Sequence, residues 1–296
     1  MFFRSKTVSQ VKGLANVGNT CFFNSVMQCL LSLEKFTNFF EKETFTDKQL
    51  ISRALQNFIL FYKKSTCSYV DPTTFIRDIK HKIRLFDGSQ QDAHAYLELL
   101  LSLVFTENQG QDKKPSSIEK LFSVEHKHTI TCKSCLHKEE RKSISAIQWL
   151  FIKNSVKESI DSYEGIEDFV DDSAQWKCSD CNKKVSTGIK HKITKCSEYL
   201  ILHLNRFLDV KNKNTANIYV DEKISVGGNN YRIVGIVSHT GSLNYGHYYS
   251  YAARTFETRE AYKCNDKTVT KSRFEMSSDG PYILFYEKQR ETMCDI

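Results

Sequence analysis

Cys21 follows the stretch Asn16-Val17-Gly18-Asn19-Thr20 and heads an apolar run from Phe22 to Leu33. Asn and Gly enter backbone conformations that other residues resist, so Asn16, Gly18 and Asn19 mark a turn. Thr20 is suited to cap a helix, and Val26, Met27, Cys29, Leu30, Leu31 and Leu33 supply an apolar helix face. A thiol in the first turn of that helix lies among free backbone N–H groups at the positive end of the dipole, which favours the nucleophilic thiolate. The position also suits a plain buried cysteine, so the chemistry depends on what else the chain supplies. Thiol catalysis needs a base within hydrogen-bond reach and a group that orients the base. His247 can be that base, and Asn265 or Asp266 the orienting group. A second constellation is metal-binding. Cys132-Lys133-Ser134-Cys135 and Cys178-Ser179-Asp180-Cys181 are two Cys-x-x-Cys pairs, and four thiolates in two knuckles suit a closed, tetrahedral, structural zinc site for one ion. Lys133, Lys138, Lys177 and Lys183 flank the pairs and offset the gathered negative charge. Redox pairs or unpaired thiols are the alternatives on residues alone.

These residues need elements to bring them together. Residues 231–239 read as a strand, 240–246 as a loop and 247–253 as a second strand, so His247 opens a strand beside a cleft. Ala261-Tyr262-Lys263-Cys264 enters Asn265-Asp266 as a further hairpin. Before residue 110 the pattern is helical: 21–33, then 49–63 on Leu50, Ala54, Leu55, Phe58, Ile59 and Tyr62. Asp71-Pro72 starts another helix leading to Phe75, Ile76, Ile79 and Ile83, and 93–105 is the next. Polar residues 109–117 form a linker or surface loop. From Leu121 onward strand signals dominate, with helical or irregular pieces near 159–169. A helix-rich half before a strand-rich half is an α+β plan.

On these residues the chain resembles the ubiquitin-specific proteases. The Cys21 segment, with Asn24 and Gln28, is similar to the family's cysteine box, and Tyr231 to Tyr251, with Gly246-His247-Tyr248, to its histidine box. Gly88-Ser89-Gln90-Gln91-Asp92-Ala93-His94 resembles the glutamine-aspartate motif. Tyr199 to Phe207 resembles the strand ending in Arg-Phe, and Tyr282 to Tyr286 the terminal strand. The motifs keep the family's order over residues 13–286. The resemblance implies a papain-like cysteine peptidase with a helical thumb, a β-sheet palm and zinc-bearing β fingers. It implies one catalytic domain over 1–296, with the thumb at about 13–110, fingers at 120–195 and palm at 196–290. It assigns Cys21 as nucleophile, His247 as base, Asn265 as third member, Asp266 as the acid that often follows it, and Asn16 as an amide at the oxyanion. It assigns Asp92, Gly246 and Tyr248 to the channel for an extended, arginine-bearing tail, Cys132, Cys135, Cys178 and Cys181 to zinc, and no catalytic cofactor.

The implied reaction is thiol-dependent hydrolysis of the isopeptide or peptide bond after the C-terminal glycine of ubiquitin. The implied partners are ubiquitin and ubiquitinated proteins, with room for an activating protein partner. Asn265 carries no charge, so a thiolate–imidazolium pair is expected to lean partly on Asp266. The chain departs from the family pattern at Ala95, where a Glu is usual, at Glu260-Ala261-Tyr262, where a Trp is usual, and at Leu136-His137-Lys138, where a Gly commonly follows the knuckle.

Composition is compatible with this reading. Forty per cent apolar residues, with 20 Phe and 14 Tyr in 296 residues, can bury a large core. No run of eighteen apolar residues occurs, so no membrane span is expected, and Met1 to Lys6 is too short and too soon polar for a signal peptide. Beyond the five cysteines assigned above, Cys29, Cys67, Cys196, Cys264 and Cys294 read most simply as free thiols of a reducing compartment, cytoplasmic or nuclear. The net charge of +7 is spread over scattered lysines without a basic block, which argues against nucleic acid as a partner.

Overall fold

A computed structural model describes residues 11–110, 112, 114–169, 176–185, 187–207, 212–242, 245–254 and 260–290. The readings of Met1 to Lys6 and of Cys294 fall outside these residues. The helical half runs β1 (Gly13–Leu14), α1 (Cys21–Leu30), α2 (Glu34–Lys42), α3 (Leu50–Lys64), β2 (Tyr69–Val70), α4 (Thr73–Ile79) and α5 (Ala93–Asn108). Then come β3 (Val124–Cys132), β4 (Lys138–Ser145), β5 (Ile147–Leu150), α6 (Val156–Tyr163), β6 (Ile166–Phe169), β7 (Trp176–Lys177), β8 (Lys184–Val185), β9 (Thr187–Cys196) and β10 (Tyr199–Leu204). The chain continues with β11 (Ile218–Tyr219), β12 (Lys223–Val226), β13 (Asn229–Gly241), β14 (Gly246–Ala253), β15 (Ala261–Asn265), β16 (Thr268–Ser272), β17 (Ser277–Ser278) and β18 (Pro281–Lys288).

The large sheet has the order β16-β15-β14-β13-β18-β10-β5, with β12 on β13. Only β5 runs parallel to its neighbour among these described pairings. Strand alternation divides its side chains between two cores. Tyr199, Ile201, Val237, Ile283 and Phe285 pack on the helices, while Leu200, Leu202, Leu204, Ile236, Leu284 and Tyr286 fill the opposite side. Burial on both faces explains why Tyr199–Leu204 and Pro281–Tyr286 read as nearly unbroken apolar runs. A separate sheet, β4-β3-β9-β6, forms the fingers.

Helix α1 sits between the large sheet and the other helices, with every residue from Cys21 to Leu30 buried, as befits a helix that must pack on all sides. A Cβ at Gly235 of β13 would lie 3.0 Å from Cys29 Sγ, so the sheet approaches α1 closely because that residue has no side chain. The helix stops at Leu30 rather than Leu33, and a separate helix, α2, starts at Glu34. Phe36 and Phe40 of α2 meet edge to face one turn apart, with ring centroids at 4.9 Å. The start at Asp71-Pro72 holds, but α4 ends at Ile79. Ile83 is still buried, held in a following turn by its N–H to the Ile79 carbonyl. Among the described residues, no helix is long and apolar enough to cross a membrane.

Candidate active site

Cys21 is the first residue of α1 and is buried. Thr20 precedes it but makes no side-chain cap, contrary to expectation. Its carbonyl accepts the first helical bond from Asn24 N at 2.9 Å, while its hydroxyl accepts from Val17 N at 2.9 Å and so closes the preceding turn. The first N–H groups of α1 therefore keep their donor capacity for a charge developing beside the thiol.

His247 lies at the start of β14, and Asn265 ends the neighbouring strand β15. His247 Nε2–H donates to Asn265 Oδ1 at 2.7 Å, which fixes the ring and leaves Nδ1 for the thiol. The side-chain hydrogen bond with Cys21 raises the imidazole to about 9; partial burial opposes the rise, and Asn265, the Cys21 charge and Asp266 support it. A cationic imidazole beside a thiol is the arrangement that generates a competent nucleophile. The raised value fixes a pH window: the imidazolium partner is fully present below about 6.5 and is lost as pH rises through about 9. The alkaline limb of kcat/KM is accordingly expected near pH 9, and a pH–rate profile checks it.

Asp266 has a larger structural task than the sequence suggests. Asn16 Nδ2 donates to its Oδ2 at 2.9 Å, Asn24 Nδ2 donates to its Oδ1 at 2.7 Å, and Leu14 N donates to its main-chain oxygen at 2.9 Å. Asp266 and Lys267 form the two-residue turn between β15 and β16, with Asp266 at φ 49°, a left-handed angle that Asp tolerates better than most residues. A Cβ at Gly13 would fall 2.2 Å from the Lys267 carbonyl oxygen, so only glycine lets β1 lie against this turn. The carboxylate thus ties the loop before Cys21 to the hairpin bearing Asn265. Its influence on His247 is the smallest of the causes named above. Asp266→Asn would place an amide N–H against one of the two donating amides. It is expected to lower kcat about tenfold to a hundredfold through misplacement while moving the alkaline limb by less than about half a pH unit. Steady-state kinetics across pH separates the two effects.

Asn16 is exposed, and its amide orientation is set by its partners: Oδ1 accepts from Thr20 N at 2.9 Å while Nδ2 engages Asp266. An amide has two N–H bonds, and the second is available to an oxyanion. Asp92 caps α5 by accepting from Ala95 N at 2.8 Å, and its other oxygen accepts from Tyr282 Oη at 2.5 Å and Tyr248 Oη at 3.5 Å. Gly246 has no room for a side chain, since a Cβ would meet His239 Nε2 at 2.1 Å. Gln90 grips it at both ends: its Oε1 accepts from Gly246 N and its Nε2 donates to Gly246 O, each at 2.9 Å. This clamp joins the start of α5 to the strand carrying His247. The sequence marked Gln90 only as part of a motif; two bonding faces on one amide were the available signal.

The four knuckle cysteines converge, with all Sγ atoms within 4.8 Å of one another. Cys132 and Cys181 are 3.9 Å apart and Cys135 and Cys178 3.6 Å. Those separations are too long for disulfides and fit the edge of about 3.8 Å of a tetrahedron with metal–sulfur bonds of about 2.3 Å. The two knuckles repeat one backbone pattern. Leu136 N and Asn182 N donate to the carbonyls of Cys132 and Cys178, and Leu136 and Asn182 take φ values of 64° and 56°. Leu136 occupies a left-handed position that glycine fills more cheaply. The donor set fits a structural metal ion.

A cysteine heading a buried helix, an imidazole held by a side-chain amide, and helices, sheet and a four-cysteine cluster that could hold a metal ion define the fold of a papain-like cysteine peptidase. The chain belongs to the ubiquitin carboxyl-terminal hydrolase family, whose model matches residues 12–286. It is similar to ubiquitin carboxyl-terminal hydrolase Usp2 of Drosophila melanogaster, at 25% identity over 93% of this chain and 34% of that protein. It is also similar to human ubiquitin carboxyl-terminal hydrolase 21, at 24% identity over 94% of this chain and 62% of that protein. The chain thus spans about a third to two thirds of the length of the relatives it matches. A chain of the SAGA DUB module Ubp8/Sgf11/Sus1/Sgf73 bound to monoubiquitin shares the fold, with TM-score 0.81 and 22% identity over 98% of this chain and 72% of that one. The same module bound to ubiquitin aldehyde gives TM-score 0.78 and 22% identity over 97% and 71%.

Proposed function

We propose that this chain is a deubiquitinase that hydrolyses the isopeptide or peptide bond after the C-terminal glycine of ubiquitin in protein conjugates. The observation that carries the reading is the assembly of His247 between Cys21 and Asn265, with its ring fixed by the 2.7 Å bond at Nε2. The Cys21 thiolate attacks the carbonyl carbon. The developing oxyanion meets the second N–H of Asn16 and the free N–H groups of α1; one such donor is worth about 2.7–4 kcal/mol in other acyl-transfer enzymes. Imidazolium Nδ1–H protonates the departing amine, leaving a thioester. Nδ1 then takes a proton from water, whose oxygen attacks the thioester carbonyl and releases the thiolate.

In this reading Gly246 and Tyr248 form a channel wall that admits glycine and excludes larger residues. Asp92 acts on the tail through its charge and by holding Tyr248 and Tyr282 in place. Cys132, Cys135, Cys178 and Cys181 hold one structural zinc ion, and the reaction needs no catalytic cofactor. The chain works as one catalytic domain, with thumb, fingers and palm near 13–110, 120–195 and 196–290; β5 leaves the finger stretch to pair with β10 of the palm. The enzyme acts inside the cell, where its remaining thiols stay reduced. The SAGA module was solved with partner subunits, which supports room for an activating protein here.

The test is incubation with ubiquitin carrying a thiol-reactive C-terminal electrophile, read by intact mass. One ubiquitin adduct per chain is expected. No adduct on a folded, metal-loaded protein, alongside an adduct with another ubiquitin-like modifier, would move the assignment to that modifier.

A further inference from the structure

The base enters on a stretch of strand that has a neighbour on one side alone. β13 pairs with β14 as far as Gly241↔Gly246, but β15 joins β14 only from Ser250 to Ala253. Among the described pairings, Gly246 to Tyr249 therefore have no strand on their outer edge. The connection before them adds little support. Tyr245 is 87% exposed and is held there by two bonds exchanged with Ser242, at 3.2 and 3.3 Å. A strand end of this kind opens more readily than the centre of a sheet.

Gln90 stands where the missing neighbour would be. Its carboxamide accepts from Gly246 N and donates to Gly246 O, each at 2.9 Å. Exchanging both bonds with one residue is what an opposing residue does in an antiparallel pair. A side-chain amide suits the task because one flat group presents an acceptor and donors together. The residue it grips is the one immediately before His247. The segment bearing Gln90 also reaches the turn before Cys21, since Asn19 Nδ2 donates to Gly88 O at 2.8 Å. Residues 88–90 thus touch both the nucleophile's loop and the strand of the base.

We propose that Gln90 is a positioning residue for the base: its two bonds hold the entrance of β14 so that His247 meets Cys21 and Asn265 together. The inference rests on the deubiquitinase reading above and adds a residue to it. Gln90 acts through Gly246 and takes no part in proton transfer. Without the clamp the strand entrance is held from one side, and the imidazole stands off from the thiol for part of the time. A displacement of about 1 Å in such a site can cost about a hundredfold in rate.

The test is steady-state hydrolysis of ubiquitin bearing a fluorogenic C-terminal amide, across pH, by the full chain and by Gln90→Met, which fills the same space and makes neither bond. The variant is expected to lose about tenfold to a hundredfold in kcat, with KM within about threefold. Its alkaline limb is expected to fall from near 9 by about one pH unit. The bond to Cys21 leads the causes of the raised His247 value, with Asn265, the Cys21 charge and Asp266 also supporting it and burial opposing; a base that stands off weakens that bond first. NMR titration of the His247 ring should follow the same fall. Gln90→Asn, an amide on a shorter stem, is the second variant where Gln90→Met melts too low for assay, and the same two shifts are expected of it. A merely structural role would lower the melting temperature and the folded fraction and leave the limb near 9. Folded variants whose limb and His247 titration stay at the wild-type values would overturn the inference, whatever their kcat. A wild type that cleaves no ubiquitin amide would overturn the deubiquitinase reading, and the NMR titrations of the two chains would then decide the inference by themselves.

Discussion

Cys21→Ala is expected to lower turnover of a ubiquitin amide by at least about ten-thousandfold while leaving ubiquitin binding within a few-fold of wild type. Removing the nucleophile of a preorganised acyl-transfer site typically costs about 10⁴ to 10⁶ in rate, because the remaining members act only as a unit with it. Binding depends on surfaces away from the sulfur, so the loss falls in kcat. The substitution has a second, independent signature. The bond to Cys21 is the leading cause of the raised His247 value of about 9; without it, NMR titration should show that imidazole falling toward the ordinary value of about 6.5, with burial opposing the charge and Asn265 and Asp266 still supporting it. Stopped-flow fluorescence and the His247 ring resonances check the two together. An active Cys21→Ala enzyme would remove Cys21 from the mechanism, and an unmoved His247 titration would break the thiol–imidazole pair.

The second large effect lies at the fingers. Chelation, or Cys178→Ser at a buried knuckle position, is expected to lower the melting temperature by about 10 °C or more, because structural zinc commonly contributes several kcal/mol to folding. The strands beside the second knuckle, β7 and β8, are two residues each. They have no independent stability, so with zinc bound as proposed they would depend on the metal to lie against the first knuckle. Cys21 belongs to the helix-side core, which includes none of the knuckle cysteines, so alkylation by a small reagent should persist while KM for ubiquitin rises. Metal analysis of purified protein gives the direct readout: about one zinc per chain is expected, and a metal-free protein indifferent to chelators would refute the site.

Local patterns carried much of this in the sequence. Residues 16–21 combine turn formers, a helix start and one thiol, and the paired Cys-x-x-Cys spacing points to metal knuckles over redox pairs before any fold is known. The alternation around His247 places that residue at a strand entrance, where the structure has it. What stayed hidden depends on contacts between distant segments. Thr20 looks like a cap by type, yet its hydroxyl is taken by Val17 N. Asp266 looks like an electrostatic helper of His247, yet two carboxamides consume both its oxygens. Asp92 was legible as a helix N-terminus but not as the partner of Tyr248 and Tyr282. Helix α2 was missed because its apolar positions are phenylalanines in an otherwise polar segment, and they stabilise it only through edge-to-face contacts with one another and with Phe122.

The Asp266 clamp also bears on how the molecule comes into being. Its two amide partners lie 250 and 242 positions earlier in the chain, and the Gly13 backbone seats on the turn beside it. A growing polypeptide therefore holds Cys21 without the hairpin that aligns it until that distant hairpin has been made. Contacts of such long sequence separation form late and slowly. The thiol acquires Asn265 and Asp266 as companions only when the hairpin at residues 261–272 has been made and docked, so a shorter nascent chain holds it without the full set of side chains that would activate it.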